Sequence, residues 1–474
     1  AMISAGKLKR PEFWSILIEN LHLPTYSNSA DSALIAAGES VFPNLDSAFY
    51  KTGQQLDTMI RIVQIFGKVG GKTASDLLWK KIDFPDKQIV SEILLSLSYI
   101  GFEAGEFQGA RIKIAIENDI GDIAWNIKAL MDIPNDDFID KMIIDAIKEE
   151  NKNNFDNIFM LLSMIYDAQS IRLVKDNILV GTTDSVSFAI EMLDIFVDED
   201  LKPKLFAVLD DVKDADKLIR LNDFYPPEDF ESYEDLLLQI INRDYNHINI
   251  WTKGLAMYKL TLMRGVKVKD DIIANLFNPN PFMLQTAAAV MFRLDKESYH
   301  HHTRRLKTSV KKELDKAIVP PIFKTKEEKY HQKILVVERA ILLKQLEAFQ
   351  KIPGVMLVEL ALCLDEIQVA KGVTVVEKGD SGNSPVYIVL SGRLRVHDGE
   401  KTVNTIKERG ITGHKLIVNT DVNPYSLTAE KDTILLVLDK DQMYDKVSKH
   451  IEMVDGILSI VNEREVKEEI ESIF

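Results

Sequence analysis

The sequence holds a single cysteine, Cys363, in 474 residues, which excludes an internal disulfide. Its surroundings, LVELALCLDE, are leucine-rich, so a small buried hydrophobe is the expected role and a reducing cytoplasmic setting fits. No run approaches the roughly twenty consecutive apolar residues that a membrane-spanning helix needs. The opening AMISAGKLKRPEFW also lacks the apolar core of a secretion signal. Cations are in the minority, with 58 Lys and Arg against 73 Asp and Glu and a formal charge of −15. That balance excludes a nucleic-acid-binding role for the molecule as a whole, because phosphate backbones demand clustered Lys and Arg. His-Glu-x-x-His, Gly-x-Ser-x-Gly and the kinase motif set are all missing, so a non-enzyme is expected.

Three stretches imitate chemical motifs, and each has a plainer reading. GKVGGKT, Gly67 to Thr73, resembles a phosphate-binding loop, but a Walker A needs four residues between its glycines and here three separate Gly67 from Gly71. The preceding MIRIVQIF continues a helical pattern where a buried strand is required, so a helix C-terminus with a glycine turn is predicted. His300, His301 and His302 are adjacent, so on a helix they point in different directions and do not converge on a metal. With Arg304, Arg305, Lys307, Lys311 and Lys312 they read as a basic solvated face, which in a membrane-tethered parent would meet anionic headgroups. Asp210, Asp211, Asp214 and Asp216 in LDDVKDADKL lack the glycine and distant glutamate of a calcium loop, and a polar inter-helix turn is expected. No metal site is assigned.

What is present in abundance is apolar periodicity. Over the first three hundred residues apolar positions recur at three-and-four spacing, broken every dozen or so residues by Gly, Asp, Asn or Pro, the rhythm of short antiparallel helices. LDTMIRIVQIFGKVGGK and QIVSEILLSLSYIGF look like second helices of successive pairs, their ends at Val69-Gly70 and Ile100-Gly101 lying 31 residues apart. Val186 to Asp211, Ile248 to Gly265 and Pro281 to Asp295 echo the form. The pattern resembles degenerate HEAT repeats, in which each pair buries its apolar face only against its neighbours.

After VPPIFKTKEEKYHQK the pattern changes. VAKGVTVVEKGDSGNSPVYIVLSGRLRV, Val369 to Val396, places Val373, Val375, Tyr387, Val389, Leu394 and Val396 at a spacing of two. Gly372, Gly379, Gly382, Gly392 and Gly399 punctuate these runs where turns require positive φ. The order of elements resembles the cyclic nucleotide-binding domain family from Leu346 to the strand predicted over Ile434 to Met443. Phe349, Ile352 and Pro353 stand at its helical entry, and Gly379, Asp380, Gly382, Tyr387, Ile388 and Gly392 on its turn and strand positions. The resemblance implies a β-roll with a ligand cassette in ITGHKLIVNTDVNPYSLTA, where the candidate residues are Gly413, His414, Lys415, Leu416, Pro424, Tyr425, Ser426 and Thr428. In the family pattern a Glu binds the ribose hydroxyl and an Arg pairs with the cyclic phosphate. Here His414 and Tyr425 stand at those positions, and a tyrosine hydroxyl donates one hydrogen bond without positive charge. The C-terminal stripe Ile451, Val454, Ile457, Leu458 and Val461 marks closing helices that, in the resembling family, move when ligand binds.

The expected fold is therefore mainly α, an α-solenoid of HEAT-like helix pairs over 1–335 followed by an α+β cyclic nucleotide-binding-like β-roll over 336–474. Phe155 to Asp211 also resembles the soluble helical region of bacterial proteins related to the ATP/ADP translocases, where a membrane domain precedes HEAT repeats and a cyclic nucleotide-binding-like domain. Ala1 ahead of Met2 reads as a cloning remnant, which leaves room for a natural protein that begins upstream. The implied function is a regulatory or interaction module. Its partner is a protein on the solenoid surface or an attached membrane domain, at the cytosolic face of the inner membrane, with no cofactor and no nucleic acid. The alternative is a sensor that binds a cyclic nucleotide, ATP or ADP in the β-roll and relays it through the C-terminal helices.

Overall fold

A computed structural model describes residues 2–318, 333–380, 385–412 and 423–447. The chain divides into two compact units, Ala1–Val266 and Lys267–Phe474. The helices between Asp270 and Ile318 group with the second unit, and the helix Val336–Gln345 begins within it.

The first unit is helical, and its helices start and stop where side chains satisfy their free backbone groups. Helix Lys87–Ile100 opens on Asp86, whose carboxylate accepts from the N–H groups of Gln88 and Ile89 at 3.0 and 3.2 Å. It closes on Gly101 at φ 73°, and buries Ile89, Ile93, Leu94 and Leu97 along one face. Helix Leu56–Val69 is apolar on several sides, with Ile62, Val63, Ile65 and Phe66 fully buried. It ends at Gly70, so GKVGGKT is a helix C-terminus, a glycine turn and the start of helix Gly71–Trp79. Gly67 is required for packing, because a Cβ there would lie 2.8 Å from the Ser96 hydroxyl of the neighbouring helix.

The longest elements, Glu106–Asp132 and Phe138–Ile165, form an antiparallel pair, the second capped by Asp137. Between them runs a polar seam: the Asn126 amide donates to Asn151 Oδ1 at 2.8 Å, and Glu150, Asn154 and Asn157 are buried. Helix Ile250–Leu260 is pinned to this pair by Glu150, which accepts from the Asn249 N–H at 2.8 Å, and by Lys259, 2.6 Å from both Asp137 and Asp140. One apolar cluster extends from Trp14 to Leu221.

In the second unit the helices Val336–Gln345 and Gly354–Cys363 lead into two four-stranded antiparallel sheets. The strands are β1 Asp365–Val369, β2 Thr374–Val376, β3 Val386–Ser391, β4 Arg393–Asp398, β5 Lys401–Lys407, β6 Ile411–Thr412, β7 Ser426–Ala429 and β8 Thr433–Leu438. One sheet has the order β1-β8-β3-β6 and the other β2-β7-β4-β5. Their shared core is Val369, Val376, Tyr387, Val389, Leu394, Leu427, Ala429 and Leu435. The mainly α fold with a C-terminal β-roll is as expected.

Two details of the expected register need correction. A bulge between Thr374 and Val376 turns Val376 inward and leaves Val373 47% exposed. The last strand ends at Leu438, not Met443, because Asp439 caps a new helix, Lys440–Val447, by accepting from the Gln442 N–H at 3.1 Å. Gly372, Gly379, Gly392 and Gly399 all take positive φ, as the turns require. Gly382 and the stripe from Ile451 to Val461 lie outside the described residues.

Candidate functional site

The described end of the cassette is held by the turn Glu377–Asp380. The Gly379 N–H donates to Asn423 O at 2.9 Å, and the Asn423 N–H donates to Asp380 O at 3.0 Å. This closes the loop onto the start of β7 and buries Asn423, while Pro424 and Tyr425 remain exposed. Gly413, His414, Lys415 and Leu416 lie outside the described residues.

Along β7 the side chains alternate. Leu427 and Ala429 enter the core, so Ser426 and Thr428 lie on the opposite face of the sheet, and Tyr425 shares the parity of Leu427. Tyr425 is 40% exposed. It brings a neutral phenol to the place where the family pattern puts a guanidinium.

Both hydroxyls of β7 are committed to protein partners. Ser426 Oγ accepts from the Lys378 N–H at 2.9 Å and reaches Glu377 Oε2 at 3.5 Å. Thr428 Oγ1 lies 2.8 Å from Thr374 Oγ1 on β2 and 2.8 Å from His397 Nε2 on β4. The direction of this chain follows from its far end. His397 Nδ1 is 2.7 Å from the carbonyl of Gly399, which only accepts, so Nδ1 carries the proton. In the neutral ring Nε2 is then an acceptor, Thr428 donates to it, and Thr374 donates to Thr428. Lys378 pairs with Asp398 at 2.8 Å beside this network.

Sequence reading found Ser426 and Thr428 but not Thr374, His397 or Glu377. These three come from different strands and a turn, and only the register that sets Thr374 opposite Thr428 and His397 opposite Ser426 brings them together. A short stretch of strand alternation does not disclose that register.

Ions tie the roll to the helix before it, and the helix after it to the helix that leads in. Glu366 at the start of β1 accepts from the Ile334 N–H at 3.0 Å and lies 3.9 Å from Arg339. On the other side Lys446 of the last described helix pairs with Glu359 of helix Gly354–Cys363 at 3.2 Å, both about nine-tenths buried. Among the described residues no group of His, Cys, Asp and Glu is placed to hold a metal, and no helix is long and apolar enough to cross a membrane.

Residues 366–450 match the family described as Cyclic nucleotide-binding domain. Comparison with the curated proteins finds no match. Among solved structures the chain is similar to the N-terminal domain of a transcriptional regulator from Streptomyces coelicolor A3(2), with 20% identity over 27% of this chain and 93% of that one and a TM-score of 0.25. It is also similar to a cyclic nucleotide-binding-like protein from Brucella abortus, with 16% identity over 23% and 98% of the two chains and a TM-score of 0.22. A third is the regulatory subunit of a cAMP-independent protein kinase A from Trypanosoma brucei, with 16% identity over 25% and 47% and a TM-score of 0.23. The match to the cyclic nucleotide-binding domain model is confined to residues 366–450, which follow a largely helical N-terminal region.

Proposed function

We propose that this chain is a non-enzymatic regulatory module in which a HEAT-like helical scaffold presents a cyclic nucleotide-binding-type β-roll with an altered ligand site. The observation that carries the reading is Tyr425: the position that supplies a phosphate-binding cation in the family pattern is a neutral, partly exposed phenol. The hydroxyls of Ser426 and Thr428 support it, since their bonds to Lys378, Thr374 and His397 would have to be exchanged for bonds to a ligand. The scaffold is proposed to meet a protein partner or an attached membrane domain, at the cytosolic face of an inner membrane, as in the translocase-related fusions that the helical region resembles.

A second reading, a sensor for ATP, ADP or a cyclic nucleotide, is favoured by the ion pair Glu366–Arg339, which joins β1 to the helix before it, and by Lys446–Glu359, which joins the helices that precede and follow the roll. Thermal unfolding of the full chain with millimolar cAMP, cGMP, ATP and ADP separates the two. A ligand present at a hundredfold over Kd adds about 2.7 kcal/mol, read as a rise of several degrees. Unchanged midpoints with cAMP and cGMP are expected, and a rise with either would overturn the altered-site reading. The double variant His414→Glu with Tyr425→Arg restores the family residues and is expected to gain a rise with a cyclic nucleotide.

A further inference from the structure

The helical unit contains a cleft of about 570 Å³ between the Glu106–Asp132 helix, the loop Phe224–Glu228 and the turn Asn242–His247. That volume is within the range of small-ligand sites. Trp125, Phe224, Tyr225, Pro226 and Pro227 form its aromatic and prolyl walls. Tyr225 is fixed, donating its hydroxyl to Glu117 O at 2.7 Å, and its ring lies so close to Gly121 that a Cβ there would come within 2.9 Å of it.

At the base, Asp122 Oδ1 accepts from Arg243 Nη2 at 2.7 Å and from His247 Nδ1 at 2.8 Å. The Arg243 guanidinium carbon also lies 4.1 Å from the centre of the Trp125 ring. Arg243 is the one Lys or Arg among the residues lining the cleft, and both its charge and its flat face are already engaged. At the mouth stand two exposed carboxylates, Glu228 and Asp244. Among the described residues neither is within ion-pair distance of a cation, whereas many other acids of this unit are paired.

We propose that this cleft is the docking site for a basic peptide segment of a partner protein, with a guanidinium or ammonium group entering between the aromatic wall and the carboxylates of Glu228 and Asp244. The bound Arg243 shows the mode in the chain's own structure: a guanidinium stacked on an aromatic face and bonded to a carboxylate. Asp122 is engaged by Arg243 and His247, and Asp244 acts on the charge of Lys253 behind the turn, but among the described residues neither Glu228 nor Asp244 forms an ion pair at the mouth, so an entering cation is attracted there and an anion is repelled. The net charge of −15 steers a basic partner toward the chain from a distance. This inference goes beyond the β-roll reading and uses residues of the helical unit alone.

The test is a titration of the full chain labelled with 5-fluorotryptophan. The probes are an acetylated hexapeptide of alternating arginine and glycine, its citrulline counterpart, which has the same shape without charge, and its glutamate counterpart. The expected result is a saturable shift of the Trp125 fluorine resonance, one of four tryptophans, with the arginine peptide. Binding weakens at least tenfold with citrulline and is lost with glutamate. Glu228→Gln with Asp244→Asn is expected to weaken the arginine peptide at least tenfold without changing the melting temperature, since both side chains are exposed. Equal binding of arginine and citrulline peptides, an unaffected double variant, or no saturable shift would each overturn the proposal. None of these outcomes alters what nucleotides do to the melting curve.

Discussion

Asp119 shows how much a single side chain in the polar seam governs. Although part of the residue reaches the surface, burial of its carboxyl pushes its pKa up to about 8. The charge of Asp122 adds to that rise, while the charge of Lys87 and a hydrogen bond from Asn157 oppose it. The folded chain therefore holds a proton on Asp119 at pH values where the unfolded chain has released it. Stability from this group falls as pH rises from about 4 to about 8, the reverse of a salt-bridged carboxylate. Lys253 acts in the opposite sense at higher pH. Burial pulls it down to about 8, so its contribution to stability rises between about 8 and about 10.5. Urea midpoints at pH 5, 6.5 and 8 are expected to fall with pH in the parent chain and to fall less steeply in Asp119→Asn. Identical slopes in the two proteins would show that Asp119 titrates normally.

At the scale of elements, the β-roll depends on glycines that are not equivalent. Gly392, between β3 and β4, has φ 106°, and a Cβ there would sit 2.4 Å from the Thr433 hydroxyl and 2.6 Å from Thr433 Cα. Thr433 cannot retreat without breaking the bonds it makes to the Arg393 N–H at 3.1 Å and Lys431 O at 2.7 Å. Gly399, between β4 and β5, has φ 58° and open space around it. Gly392→Ala is expected to cost about 2 kcal/mol or more through clash and strain, and Gly399→Ala about 1 kcal/mol from backbone conformation alone. Chemical denaturation of the two variants measures the difference, and equal losses would contradict the close approach at Gly392. Both glycines were legible as turns because punctuation and a spacing of two are local signals. Which glycine faces another strand was not, because β8 arrives about forty residues later. The same limit hid the Thr374–Thr428–His397 chain, and it let the strand over Ile434–Leu438 be read on to Met443 until the Asp439 cap was seen.

For the molecule as a whole, helices at three-and-four spacing announced a helical N-terminal region, but the buried charges of the seam did not show. Lys87, Asp122, Asn126 and Glu150 sit on faces that an amphipathic pattern assigns to solvent, and their burial is met by partners elsewhere in the chain, such as Lys87 with Glu150 at 3.2 Å. Such a seam is costly unless its polar groups are matched inside the same unit. The matches observed lie before Val266: Glu150 to Asn249 and Lys87, Asp140 to Tyr233 at 2.6 Å and to Lys259, Asp122 to Arg243 and His247. The apolar cluster from Trp14 to Leu221 lies there too. A fragment of residues 2–266 therefore holds both the core and the partners that pay for the seam. It is expected to be a stable helical protein with a cooperative thermal transition and helical circular dichroism. If the fragment aggregates or melts without cooperativity, the seam must draw stability from residues beyond Val266, and the compact unit is not a folding unit.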